Sequence, residues 1–149
     1  MSRDAGCILA VDLGSVRIGL ALSDRLGLAA YPLGALQRKG ARRDFTELRR
    51  LVQEHEVTRA VVGLPLLMSG EEGSAAVQAR SFAGKLRAAV DGLDVEMWDE
   101  RLTTVEAERL LAEANVKRRR RRQVVDSLAA TLILQSYLDA RAREECAEP

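Results

Sequence analysis

Apolar and polar residues recur along this chain at two different periods, and the switches between them mark out its elements. Ile8 to Val11 (ILAV) is an unbroken apolar run, the pattern of a strand buried on both faces. Asp12 ends it, Leu13-Gly14-Ser15 turns the chain, and Val16 to Leu22 returns as a second, antiparallel strand. Leu28 to Leu36 reads as a third. Pro32 has no N–H to give to a ladder, which assigns this strand to a sheet edge.

From Gly40 the spacing becomes helical. Phe45, Leu48 and Val52 share one face of a helix reaching about His55, with Arg42, Arg43, Arg49 and Arg50 turned to water. Arg59 to Leu64 (RAVVGL) is a buried parallel strand, closed by Pro65. Ser69 and Glu72 have capping-box spacing for a second helix that carries Ala75, Ala79, Phe82, Leu86 and Val90 on one face. Val95 to Trp98 is the fifth strand and runs into Asp99-Glu100-Arg101. Thr103 and Glu106 repeat the capping-box spacing before a helix striped by Ala107, Leu110, Leu111 and Ala114. Val125, Leu128, Ala129 and Leu132 begin a last helix that fades by about Arg143.

The order β-β-β-α-β-α-β-α-α predicts an α/β fold. Three antiparallel strands followed by parallel strand-helix units form a mixed five-stranded sheet with helices on both faces. With 149 residues and no internal repeat or linker, residues 1–143 are expected to form a single domain, and 144–149 a frayed tail.

Composition changes this picture little: 47% hydrophobic and 30% charged residues describe an ordinary globular chain. Cys7 and Cys146 have no spacing that reads as a metal site or a disulfide framework. No apolar run approaches the ~18 residues of a membrane span, and no signal-peptide core is seen, so a cytoplasmic protein with reduced thiols and no membrane partner is expected. The net charge of +1 gives no general affinity for polyanions, but its distribution does: Lys117-Arg118-Arg119-Arg120-Arg121-Arg122 is an unbroken basic run. It reads either as a solvated connector between the last two helices or as a phosphate-binding segment. Aromatic residues make up only 3% of the chain, which favours recognition of backbone and shape over base stacking.

The candidate chemistry is acidic. Asp12 leaves a buried strand beside a glycine turn, where a carboxylate needs hydrogen bonds, water or a cation; turn support and metal binding both meet that need. In a parallel arrangement Glu100 emerges at the same C-terminal sheet edge, where α/β ligand sites collect. Asp126 lies in the first turn of the last helix, followed by the small Ala129 and Ala130, which would let that helix approach the edge. Taken singly, Asp126 reads equally as a helix-dipole partner and Asp99 as a strand-end cap. Together, Asp12, Glu100 and Asp126 make an oxygen-only site suited to Mg²⁺ or Mn²⁺. Asp24 is excluded, because the antiparallel second strand carries it about 20 Å away. His55, beside Glu54 and Glu56, reads as a solvated helix-end residue.

ILAVDLGSVRIGLALSD, VVGLPLLMSGEEG, WDERLTTVEAERLL and VDSLAATLILQSYL resemble, in order and spacing, the motifs of the YqgF/RuvX family of bacterial RNase H-like nucleases, related to Holliday-junction resolvases. The resemblance runs from about Ile8 to Leu138. It implies an RNase H-like fold, a divalent-metal phosphodiesterase and a role in 5′-end maturation of pre-16S rRNA. By matching position it carries Asp12, Glu100 and Asp126 over as the acidic triad, and Arg17, Gly63, Pro65 and Arg101 as further motif residues, with Arg17 and Arg101 assigned to nucleic acid. In the broader resolvase superfamily an acid often ends the fourth strand; here that strand ends Gly63-Leu64-Pro65, and the acid comes one strand later.

Three function classes follow. The first is a metal-dependent endonuclease on structured RNA or, as a homodimer, on branched DNA. The second is a non-catalytic nucleic-acid-binding regulator, against which the intact triad argues. The third is an actin-like ATP-binding protein, whose fold needs two lobes where this chain offers one.

Overall fold

The computed structural model describes residues 6–103 and 118–147. Five strands form one sheet: β1 (Cys7–Leu13), β2 (Arg17–Ser23), β3 (Ala30–Gln37), β4 (Val57–Leu64) and β5 (Asp94–Asp99). Their order across the sheet is β3-β2-β1-β4-β5. β2 is antiparallel to β1 and β3, whereas β4 and β5 run parallel to β1. Pro32 therefore does lie on an edge strand, as its missing donor requires.

Strand alternation sorts the core into two layers. Leu9, Val11, Ile18, Ala60 and Val62 pack against α1 (Ala41–Glu54) and α2 (Ser74–Ala89) through Leu48, Val52, Phe82 and Leu86. Ile8, Ala10, Ala21 and Val61 face the other way, onto Ala130, Ile133, Leu134, Tyr137 and Leu138 of the long helix α3 (Arg118–Ala147). Even-numbered positions of β1 thus look towards α3, and Asp12 is the next of them.

Polar contacts fix α3 along the sheet. The buried Ser127 hydroxyl donates to Leu20 O at 2.9 Å and accepts from Gly34 N–H at 3.0 Å, at the point where the β2–β3 register shifts. Gln135 accepts from Ala30 N–H at 3.1 Å. Near the other end of the sheet, Tyr137 Oη accepts from Arg59 and donates to Glu96, both at 2.7 Å. These contacts fix the middle of the helix, from Ser127 to Tyr137, against the sheet.

Several local expectations need correction. Ser69 and Glu72 do not cap α2, which starts at Ser74 after Gly73. Gly70, at φ +89°, and an antiparallel bridge between Leu66 and Glu72 fold residues 66–73 into a compact hairpin-like loop instead. Glu72 pairs with Arg80. Ala76 rather than Ala75 is buried on α2. The last helix begins at Arg118, so Arg118 to Arg122 form its first turns rather than a connector. Arginine is a good helix former, and no Gly or Pro interrupts the stretch. The buried stripe runs through Ser127, Ala130, Ile133, Leu134 and Tyr137, so the expected Leu128 and Ala129 are only half-buried, one position off. Helix continues through Ala147 where fraying was expected from Glu144. The expected helix through Ala107, Leu110, Leu111 and Ala114, its Thr103–Glu106 cap and Lys117 lie outside the described residues.

Candidate active site

β1, β4 and β5 all point their C-terminal ends to one edge of the sheet, and the site is built there. Asp12 faces Gly19 across the antiparallel ladder. On its other side, the parallel register pairs Val11 with Val62, so Gly63 follows one step on, beside Asp12. Gly63 in turn pairs with Trp98 of β5. Asp12 therefore stands between two residues without side chains.

That space is used. Glu100, the first residue after β5, starts a 3₁₀ turn (Glu100–Thr103) and reaches back over Gly63. A Cβ at position 63 would collide with Glu100 Oε1 and come within 2.8 Å of Ile133 Cδ1. The Glu100 carboxyl hydrogen-bonds to Asp12. Burial first, then the Asp12 charge and this hydrogen bond, with a smaller contribution from Asp99, push its pKa up from 4.5 to about 8. The two carboxyls together therefore hold a proton more tightly than an isolated carboxyl would.

Asp99, its neighbour, is engaged elsewhere. Both its oxygens bind the Arg101 side chain, at 2.9 Å for the shortest contact, and Oδ1 also accepts from Arg101 N–H at 2.9 Å. The guanidinium holds the Asp99 carboxyl below the usual carboxylate range. Asp99 shapes the turn that aims Glu100, and Glu100 is the acid that meets Asp12.

Asp126 sits on the α3 backbone immediately before Ser127. Ser127 is bonded to Leu20, which pairs with Val11, so this part of α3 lies at the level of the β1 terminus. Among the described residues no three His, Cys, Asp or Glu side chains cluster; two carboxylates do. Arg17 is exposed at the first residue of β2, at the same end as Asp12, and Arg101 flanks Glu100. Asp24 is remote, accepting from Leu28 N–H at 2.8 Å in the β2–β3 turn. His55 caps the end of α1, away from this edge.

A half-buried pair of like carboxyls meets here, and their closeness favours keeping a proton on the pair. A divalent cation would replace that proton with a stronger attraction for both, and oxygen-only donors fit Mg²⁺ or Mn²⁺. Two features of the edge escape the sequence reading. Gly63 is more than a motif residue: a glycine inside a strand pattern signals close approach, and that signal is present in RAVVGL. Arg38, whose Nη1 donates to Gly14 O at 2.9 Å, adds a cation over the β1–β2 turn that no spacing marks.

A family model described as "RuvX: Holliday junction resolvase" matches residues 6–140. The chain belongs to the RuvX family. A relative from Pelotomaculum thermopropionicum, named "Putative pre-16S rRNA nuclease", is 50% identical over 137 residues, covering 91% of this chain and 88% of that one. Proteins of the same name from Moorella thermoacetica and Myxococcus xanthus are 50% and 48% identical, each over 89% of this chain and over 94% and 87% of their own. Among solved structures, Thermus thermophilus RuvC in complex with Holliday junction substrate superposes with a TM-score of 0.58 at 15% identity, covering 92% of this chain and 96% of that one. A second Thermus thermophilus RuvC structure gives 0.51 at 14% identity, with the same coverage. The fold of this RuvX protein is thus the RNase H-like α/β fold, and the RuvX chain is a nuclease.

The Glu100 shift fixes a pH dependence. A carboxyl that ionises at about 8 when folded and about 4.5 when unfolded favours the folded state fully below 4.5, and that contribution is lost as pH rises to about 8. In EDTA, the urea midpoint of the wild type should fall between pH 5 and 8. Glu100→Gln should flatten that fall and be the more stable protein at pH 8. Equal slopes in the two proteins would show that Glu100 is not buried against Asp12.

Proposed function

We propose that this RuvX protein is a divalent-metal-dependent endonuclease that hydrolyses phosphodiester bonds in structured RNA during 5′-end maturation of pre-16S rRNA, in the cytoplasm. The observation that carries the reading is the Glu100 carboxyl hydrogen-bonded to Asp12 over the bare Gly63 backbone. Asp12 and Glu100 would hold Mg²⁺ or Mn²⁺, and Asp126, next to the anchored Ser127 in sequence, would be the third ligand. When bound, the cation supplies Lewis-acid stabilisation of the charge that develops on the scissile phosphate. Arg17 and Arg101, flanking the carboxylates, neutralise neighbouring phosphates. The basic run Lys117 to Arg122, of which Arg118 to Arg122 open α3, binds the polyanion. No helix among the described residues is long and apolar enough to cross a membrane.

The names of relatives sharing about half their residues over most of the chain support RNA as substrate. A second reading, branched DNA cut by a homodimer, draws on the family description and on the RuvC fold. Cleavage of a pre-16S 5′-leader RNA and of a four-way DNA junction, each with Mg²⁺, Mn²⁺ or EDTA, separates them. RNA cut at one position only with metal is expected. Cleavage of the junction alone would transfer the proposal to DNA, and equal cleavage in EDTA would remove the metal.

Asp12→Asn and Glu100→Gln keep shape and remove the anionic oxygens that a cation would bind, so each should reduce RNA cleavage by about 10² to 10³-fold while leaving RNA binding within a few-fold. Asp99→Asn loosens the turn without removing a ligand and should cost less. An Asp99 variant more damaging than the Glu100 one would mean the wrong neighbour has been assigned to the cation.

Replacing Arg119 to Arg122 with serine should weaken binding to all polynucleotides alike. Every phosphate that is no longer neutralised takes roughly 0.9 off the log-log salt slope on duplex DNA. An unchanged slope would reduce these helix-borne arginines to a solvated surface.

A further inference from the structure

A cavity of about 190 Å³ opens on the sheet face opposite the carboxylate pair, between the start of α1 and α2. Leu13 lines it. Leu13 follows Asp12, and alternation sends the two to opposite faces, so a strand draped over the β1–β2 turn lies within reach of both the cavity and the acidic edge.

The cavity has three kinds of wall. Phe45 and Phe82 are stacked with centroids 5.1 Å apart, and the half-buried Phe45 gives the cavity an apolar wall. Asp44 also lines it, although only 5% of that residue is exposed. Its Oδ1 accepts from Lys39 N–H at 2.9 Å; its second oxygen has no hydrogen-bond partner among the described residues and is left to the cavity. Arg38 and Lys85, both exposed, stand at the rim, with Arg38 anchored on Gly14 O. A carboxylate lining the cavity, an aromatic wall and two rim cations do not make an ordinary surface dent.

These walls specify a ligand. The volume lies below the ~300–1,000 Å³ of most small-molecule sites, and suits one planar ring with its sugar and phosphate outside. The rim cations are where a phosphate would then lie. An ionised carboxylate only accepts, so it selects a ring edge bearing adjacent N–H donors. Guanine presents two, N1–H and the 2-amino group. Adenine and cytosine place an acceptor beside their amino group, and uracil flanks its single N–H with two acceptors.

We propose that this cavity binds the base of a guanine nucleotide. Asp44 reads its donor edge, Phe45 stacks on the ring, and Arg38 and Lys85 hold the phosphate. The guanine belongs either to a free nucleotide or to an unpaired residue of the strand being cut, and the test tells them apart.

Calorimetric titration of the full chain in EDTA, where cleavage is not being read, compares GMP, AMP and UMP. It also compares two short single-stranded RNAs that differ only by one guanosine in place of adenosine. GMP should bind at least tenfold more tightly than AMP or UMP, or the guanosine RNA at least fivefold more tightly than its adenosine twin. Preference with free GMP assigns the pocket to a nucleotide ligand; preference only within the RNA assigns it to the substrate strand. Asp44→Asn keeps an acceptor for Lys39 N–H but puts an amide donor into the cavity, and should abolish the preference. Lys85→Ala, at an exposed position with no burden on folding, should weaken GMP at least threefold and leave guanosine unchanged. No base preference in either series, or a preference that survives Asp44→Asn, overturns the proposal. Because binding alone is measured, loss of the nuclease reading would leave this result standing, and the reverse.

Discussion

The contact between Glu100 and Asp12 across Gly63 is the constraint on which the rest of this edge depends. Two carboxyl groups from strand ends on either side of β4 repel when both are ionised, and burial makes the repulsion worse. The molecule brings them together all the same, by removing the side chain between them and letting a proton take one charge. Such an arrangement is poor for stability, which is the common mark of a site kept for chemistry.

The surrounding structure is what makes that contact possible. Parallel pairing of β1, β4 and β5 gathers their C-terminal ends, and strand alternation turns Asp12 towards the α3 side. The Asp99–Arg101 fork shapes the 3₁₀ turn so that Glu100, not Asp99, points inward. Ser127, bonded to both β2 and β3, sets the depth at which α3 meets the same edge. The cations then follow the acids: Arg17 on β2 and Arg101 beside Glu100. A positively charged surround for an acidic pair is the layout expected where a polyanion must approach anionic ligands.

Much of this is legible in the residues because the strands are plainly patterned. ILAV, RAVVGL and the edge-marking Pro32 point to the mixed five-stranded sheet, while the strand order across it comes from the structure. Convergence of parallel strand ends is enough to bring Asp12 and Glu100 together. What is not legible depends on long-range contacts. Ser69-x-x-Glu72 has the spacing of a cap, but the glycines at 70 and 73 fold it into a loop, and local propensity loses to backbone freedom. Six consecutive basic residues look like a break in structure, yet arginine continues a helix that Ser127 and Tyr137 anchor. Ser127 itself carries no periodic signal. Its value comes from a register shift between β2 and β3, more than 90 residues away in the chain.

The central place of that carboxylate contact is tested most directly by a Mn²⁺ titration, followed by electron paramagnetic resonance, of wild-type protein and Gly63→Ala. An alanine methyl fills the space that the Glu100 carboxyl occupies and otherwise meets only the flexible tip of Ile133. A folded variant with at least tenfold weaker Mn²⁺ binding and a parallel loss of RNA cleavage is expected. Undiminished Mn²⁺ affinity in a folded Gly63→Ala protein would contradict this, because the carboxylates would then not need the bare backbone between them.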